Sequence, residues 1–449
     1  MILDRSVPPS PGAITQIAFP PYTTTALSNG IPVYLVENHG QPLVSISLYI
    51  RGGSSLDTAA TQGLASLTAE LLTKGTAKRT ATQIAEEIDF VGGSLGVSAS
   101  WDSTTISTSV LSRYIDRAID LLSDVALNPA FSPEEVDRIR IQRIASIKAA
   151  KSDAGYLADV VFSRSVYGTH PYGFEAAGQE VTIALLQSES LKNFYSKIAA
   201  PNNAFFIVAG DVIEADIVKK LSDAFGAWAG EALPPEPLAA PAPNPKTKVV
   251  LVEKPQAVQS ALRIGHLGVP RSHKDYVHLY VLNMLLGGYF NSRINQNLRE
   301  RNGFTYGARS YFDARKQSGA FVVSTEVRTE VTAAATLEIA QELRHICDTP
   351  VGPGELETVQ NYIIGSFPLS LETPQQIASR VAALVLYGLD TDYYDKFRDA
   401  VASTTADDLL RAAGLHLQPE ALTIAISGDA TSLAPELKSF GEVELVPLW

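Results

Sequence analysis

Two short stretches of this chain hold the side chains whose types and spacing could do chemistry. The first is Gly63-Leu64-Ala65-Ser66-Leu67-Thr68-Ala69-Glu70-Leu71-Leu72-Thr73-Lys74-Gly75-Thr76, which begins as a helix near Gln62. Ser66 and Glu70 are four apart, so on a helix they share one face. Two good ligands at that spacing can hold one metal ion, but the pair here is a hydroxyl and one carboxylate. Serine is not a usual zinc ligand. Glu70 alone could coordinate, whereas a catalytic zinc site needs three protein ligands. The expectation is no metal held here, with Glu70 a solvated or salt-bridged helix residue.

The second stretch runs from Asn291 to Gly307 and contains Arg299 and Tyr306. A guanidinium offers a rigid fork of donors to a peptide carbonyl or carboxylate. A tyrosine hydroxyl can donate to an oxyanion that develops during attack on a carbonyl. The pattern predicts a helix ending near Arg301, a turn at Asn302-Gly303 and a strand carrying Tyr306. Other reactive types are sparse. The lone Cys347 excludes an intrachain disulfide framework and a cysteine-based zinc site, and reads as a small packing residue. His170 sits beside a proline in a glycine-bounded turn and reads as structural. His273 and His278 stand five apart and share a helix face poorly.

The elements that must position these residues fall into two similar halves. The boundary is Glu231 to Lys248, rich in proline and alanine, the composition of a semi-rigid extended linker. Domains are expected at residues 1–232 and 248–449, with 233–247 between them. Val33–Glu37 opens the first half and Val249–Glu253 the second; Phe205–Asp211 and Leu422–Asp429 stand near their ends. Leu35 to Leu251 is 216 positions and Gly210 to Gly428 is 218, so one offset of nearly constant size argues for a duplicated domain. Val44, Ile46, Leu48 and Ile50 alternate with small polar residues and Tyr49, as in a sheet with one buried face. Ser94–Ser100 and Ser103–Leu111 read as a hairpin. Ser132-Pro133-Glu134-Glu135 is a strong helix start, and that helix should run to about Lys151. Strands with clustered helices give an α+β class: two homologous α/β-sandwich domains, each a mostly antiparallel sheet with helices packed on it.

Composition narrows the function. With 48 acidic and 36 basic residues, the net charge of -12 argues against a nucleic-acid binder. It is compatible with a cavity that attracts basic peptides. No apolar run reaches the roughly 18 residues of a membrane span. The amino terminus has no basic segment followed by an apolar one, so the sequence as it stands reads as cytoplasmic, or periplasmic if an export signal has been removed.

The two stretches resemble the pitrilysin/insulinase family of zinc metallopeptidases, related to mitochondrial processing peptidase. That family carries an inverted zinc motif, His-x-x-Glu-His, inside a Gly-Leu-Ala…Lys-Gly-Thr frame; the frame is present here and the motif is replaced by Ser66, Ala69 and Glu70. Its third ligand, a glutamate on a later helix, falls in Ile144–Lys148, which has no acid. Asn283–Gly288, read as a turn, followed by Leu298-Arg299-Glu300 through Tyr306, resembles the family's second-domain signature, whose arginine and tyrosine map onto Arg299 and Tyr306. Tyr167–Gly173 and Pro201–Ala204 are also family-like. The resemblance runs from about Thr25 to Asp429.

What the resemblance implies is half of a clam-shell whose zinc lies in another chain. Some members divide the work between a zinc-bearing subunit and one that keeps the arginine and tyrosine. This chain matches the second kind: a non-catalytic, substrate-binding subunit, inactive alone, with no cofactor of its own. It would pair with a zinc-bearing homologous subunit in a metalloendopeptidase heterodimer acting on unstructured peptides. Three other readings stay open. They are a non-enzymatic scaffold subunit of a larger complex, an autonomous hydrolase using Glu70 and an unrecognised ligand, and a peptide-binding homodimer.

Overall fold

The computed structural model describes Ser6, Gly12, residues 17–232 and residues 238–447; part of the expected linker, residues 233–237, lies outside them. The first half contributes strands β1 (Thr23–Ala26), β2 (Pro32–Glu37), β3 (Leu43–Arg51), β4 (Ser94–Ala99), β5 (Ser103–Leu111) and β6 (Ala204–Gly210). They form one sheet in the order β1-β2-β6-β3-β5-β4. The second half contributes β7 (Lys248–Glu253), β8 (Gln259–Gly268), β9 (Ala308–Ala314), β10 (Gly319–Arg328), β11 (Thr423–Gly428) and β12 (Val443–Val446). Their order is β12-β7-β11-β8-β10-β9.

Five strands of each sheet follow one plan. The parallel pair β2/β6 corresponds to β7/β11, and the antiparallel run β6-β3-β5-β4 to β11-β8-β10-β9. Even the register repeats: Glu37 stands opposite Gly210, and Glu253 opposite Gly428. The sixth strand differs, because β1 joins its sheet antiparallel whereas β12 joins parallel. Two homologous α+β units are therefore present, with mostly antiparallel sheets. β4 and β5 make the expected hairpin, and the helix after Ser132 spans Pro133–Ala150, its Glu135 N–H donating to the Ser132 hydroxyl.

Each sheet packs its own helices on one face, giving one core per half. The other face of each sheet is covered by a helix from the opposite half. Helix Ala154–Tyr167 lays Leu157, Val161 and Phe162 on Val250, Val252 and Val322 of the second sheet. Helix Pro374–Tyr387 lays Ile377 and Val381 on Phe205 and Ile207 of the first. Burying such side chains contributes about 1.5–3 kcal/mol each, so the exchange holds the halves together. Arg263 reinforces it with a bond to Asp159 of 2.5 Å. Arg315 does so by stacking on Trp101, Tyr167 and Tyr172 at 4.2, 5.0 and 4.9 Å.

This exchange corrects the reading of β3 as a strand with one buried face. Ser45 and Ser47 are only 2% and 5% exposed, because the helix Pro374–Tyr387 covers the side on which they lie. Small polar residues there let a helix approach closely; their alternation does not mark solvent.

Candidate functional site

The helix that carries the degenerate motif spans Leu64–Leu71. Asp57 opens it: one carboxylate oxygen accepts from Gly63 N–H at 2.9 Å and the other from Ala65 N–H at 3.1 Å. Asp57 is 3% exposed, and burial pushes its carboxyl up to about 7 although the two backbone donors pull the other way. Gly63 has φ of +88°, and a Cβ there would lie 2.7 Å from Gly178, so only glycine fits this close approach. At the far end Thr76 Oγ1 donates to buried Asp124 at 2.7 Å, and Arg79 donates to the same carboxylate at 2.8 Å. The Gly-Leu-Ala…Lys-Gly-Thr frame is thus retained as packing.

On the helix face that Ser66 and Glu70 share stands Arg143, from the helix Pro133–Ala150. Its Nη1 donates to Ser66 Oγ at 2.7 Å and to the Ala177 carbonyl at 3.4 Å, and its Nη2 donates to Glu70. Glu70 is therefore salt-bridged, one of the two fates expected for it. Ala69 is 1% exposed, its methyl packed in the interior. The donors at this place are one hydroxyl and one carboxylate already held by a guanidinium, a set that does not fit zinc.

The second stretch is built differently. The segment after Asn283 is a π-helical run, Met284–Gly288, and not the expected turn. Its glycine has a steric cause: a Cβ on Gly287 would lie 2.4 Å from Ser310 Oγ and 2.5 Å from Ser310 N, where β9 crosses. Asn283 accepts from the Ser310 hydroxyl at 2.8 Å. Asn295 donates to the Phe290 carbonyl at 2.6 Å and accepts from Ala308 N–H at 3.0 Å, so one side chain spaces the two flanks of the site. The chain then runs through a second π-helical run, Gln296–Arg301, and turns at Gly303, φ +62°. The helix end and the turn lie where the sequence places them.

Tyr306 does not lie in a strand. β9 begins at Ala308, and Tyr306 occupies the bend before it. Thr305 and Gly307 bond across it: Thr305 Oγ1 donates to Gly307 O at 2.9 Å and accepts from Gly307 N at 3.1 Å. Thr325 Oγ1 of β10 reaches Thr305 Oγ1 and Gly307 O, both at 3.1 Å. These local side-chain bonds compete with the β ladder and hold a bend in its place. The bend projects the tyrosine outward, 96% exposed. Arg299 is half-buried: its guanidinium lies 4.6 Å over the Phe290 ring, and its Nε is 3.5 Å from Glu300. Phe290 and Tyr306 line a cleft of ≈660 Å³ whose other walls include Gly288, Arg263, Arg309 and Glu326. Arg299 abuts this cleft through Phe290. Ser66, Ala69 and Glu70 do not line it, so within one chain the two chemistry-bearing stretches do not form one pocket.

Two models of one family match this chain. The model described as insulinase (peptidase family M16) covers residues 32–170, and the one described as peptidase M16 inactive domain covers residues 186–363. The chain belongs to the insulinase-type M16 family. Among its relatives, a Helicobacter pylori protein named as the non-peptidase homologue YmxG is 25% identical over 405 residues, 88% of this chain and 91% of that protein. A Bacillus subtilis protein named as an uncharacterized zinc protease, YmxG, is 26% identical over 352 residues, 78% of this chain and 85% of that one. The crystal structure of a peptidase M16 inactive domain from Pseudomonas fluorescens superposes with a TM-score of 0.85 at 26% identity, covering 91% of this chain and 98% of that one. A structure described as a protease from Helicobacter pylori shares the fold, with a TM-score of 0.86 at 20% identity, covering 91% and 99%.

The remaining histidines do not assemble around the motif. His170 is buried and accepts from Tyr172 N–H at 3.1 Å, capping a short helix. A cluster that the sequence reading missed joins His273, Asp275 and His416, whose ligand-type atoms lie within 4.8 Å of one another. His416 is 141 positions from Asp275, so spacing gives no sign of it. Arg411 and His416 both bond the Asp275 carboxylate, at 3.0 and 2.8 Å, and hold it well below the usual carboxylate range. The Asp275 N–H donates to His273 Nδ1 at 3.2 Å. A neutral ring that accepts at Nδ1 carries its proton on Nε2, so the cluster is an ion-pair junction between helices. Among the described residues, no helix is long and apolar enough to cross a membrane.

Proposed function

We propose that this chain is the non-catalytic, substrate-binding subunit of a heterodimeric M16 peptidase. In this reading residues 1–232 form a domain with a degenerate metal site and residues 248–449 a domain with the substrate-side pair, joined by the segment 233–247. The partner is a homologous subunit that holds zinc and activates the attacking water. This chain supplies Arg299 and Tyr306 to that subunit's active site and takes no cofactor itself. The observation that carries the reading is Tyr306: a rigidly held bend presents a nearly fully exposed aromatic hydroxyl beside a cleft, with nothing in its own chain to act on.

The chemistry follows from the donors. The Tyr306 hydroxyl donates to the carbonyl oxygen as it gains charge, and its fixed bend needs no reorganisation at that moment. Arg299, kept flat by Phe290, offers its remaining N–H groups to the peptide backbone. The name non-peptidase homologue, borne by the Helicobacter pylori relative, is consistent with chemistry supplied from outside.

Reconstitution tests this. The chain is mixed with its zinc-bearing homologue and cleavage of unstructured peptides is followed. Activity should appear only in the mixture and fall with Arg299→Ala and Tyr306→Ala. Unchanged activity with both variants refutes the role. Co-purification with a membrane complex and no peptidase would favour a scaffold subunit instead.

A further inference from the structure

We infer that Arg143 is a built-in cation: its guanidinium stands in the place of the family's metal ion and bars metals from it. Ser66 and Glu70 occupy the two ligand positions on one helix face, one turn apart. A single guanidinium bonds both of them. It comes from the helix Pro133–Ala150, the same helix on which the third ligand was sought, so it enters from the side a third ligand would. Ionic balance is preserved too. One positive group meets the one carboxylate of that helix face.

The third element of the junction is the segment around Ala177. The Ala177 carbonyl accepts from Arg143 Nη1. Neighbouring bonds clamp this segment to the helix start: Thr182 Oγ1 donates to Gln62 O at 2.8 Å, and Glu175 N–H donates to Gln62 Oε1 at 3.1 Å. Arg143 thus ties together the two helices that a metal would tie, and the Ala177 segment besides, with directional hydrogen bonds in place of coordination. An arriving divalent cation would have to expel a group of like charge from its only carboxylate. This inference stands on the Arg143 geometry alone and does not depend on whether the chain has a partner.

Zinc binding to the purified full-length chain, followed by calorimetric titration, tests it. Ser66→His puts an imidazole one turn from Glu70 and recreates a ligand pair. With Arg143 present this variant should bind zinc about 10- to 100-fold more weakly than Ser66→His/Arg143→Ala, the scale of one charge-assisted bond that must be broken. Equal affinities in the two backgrounds overturn the inference. Thermal unfolding in the native background is a second, independent readout that does not need the histidine. Arg143→Ala should lower Tm, Arg143→Lys should restore less than half of the loss, because a point charge cannot fork, and Glu70→Gln added to Arg143→Ala should cost little more. Full rescue by lysine, or additive effects of the two substitutions, overturns the inference as well.

Discussion

The helix Leu64–Leu71 and the bend at Tyr306 are both recognisable pieces of a peptidase, yet they have opposite characters. At the helix every chemical group has found a partner within the chain: Ser66 and Glu70 both bond Arg143, and Ala69 packs as a buried methyl. At the bend the backbone is fixed by Thr305, Gly307 and Thr325 while the Tyr306 side chain is left exposed. A group ready to act on another molecule is one whose support is satisfied and whose tip is not. By that measure the first site is closed and the second is open, although each keeps its family frame.

The largest way to break the contrast is to remove the open tip. In a reconstituted peptidase, Tyr306→Phe deletes the proposed oxyanion donor and should lower kcat by about 100-fold or more, with Tm of the chain unchanged. Steady-state kinetics with a fluorogenic peptide checks this; a loss confined to KM would make the hydroxyl a mere binding contact.

The closed site hides a cost that pH reveals. The Asp57 carboxyl, buried beneath the helix start, titrates near 7 when folded and near 4 when unfolded. The folded state therefore holds a proton through an interval in which the unfolded state has lost it. Stability is fully present below the unfolded value and should fall as pH rises between about 4 and 7, by up to about 1.4 kcal/mol per pH unit. Asp57→Asn should flatten that slope in denaturant titrations at pH 5 and pH 8. An equal slope in both proteins would mean that the helix start solvates the carboxylate better than its burial implies.

Much of this was legible in the sequence, and the illegible part has a common cause. The strands were readable because their signals are local: Val33–Glu37 and Val249–Glu253 announce themselves by β-branched runs, and the Gly210/Gly428 landmarks prove to sit opposite Glu37 and Glu253 in the same register. The frame around Arg299 and the turn at Gly303 were likewise local. What could not be read depends on partners far away. Arg143 is 77 positions from Ser66, and on a helix rich in arginine it looks like any solvated residue. The alternation of Ser45 and Ser47 carries no sign of the helix that dries their face, because that helix lies in the other half. Thr305 and Gly307, whose bonds bend the chain at Tyr306, look as residue types like an ordinary strand entry.

A smaller effect concerns how the open site is spaced. Gly287→Ala sets a methyl against Ser310 at the start of β9. Overpacking of this kind typically costs about 1–3 kcal/mol, seen as a lower midpoint in urea. Because the clash is with backbone nitrogen as well as a hydroxyl, Ser310→Ala should relieve only part of it. The displaced strand start adjoins the bend that carries Tyr306, so peptidase activity should fall further than stability alone explains; the same loss in both would mean that the bend tolerates displacement.

The smallest expected effect separates the arginine from its support. Phe290 is exposed, and the Arg299 guanidinium carbon lies over its ring, 4.6 Å from the centroid. A partly exposed cation–π contact contributes about 0.5–1 kcal/mol, which is a two- to five-fold change at most in a binding constant. Phe290→Ala leaves the charge and hydroxyl of the site intact and removes only the plane that orients the fork. If Arg299 meets the peptide backbone, the variant should raise KM by that small factor, leave kcat within two-fold of the parent, and leave Tm unmoved, since Phe290 is not a core residue. Phe290→Tyr, which keeps the plane, should restore the parent KM. An effect on kcat as large as that of Tyr306→Phe would place Phe290 itself against the reacting carbonyl and would make the open site a three-residue surface.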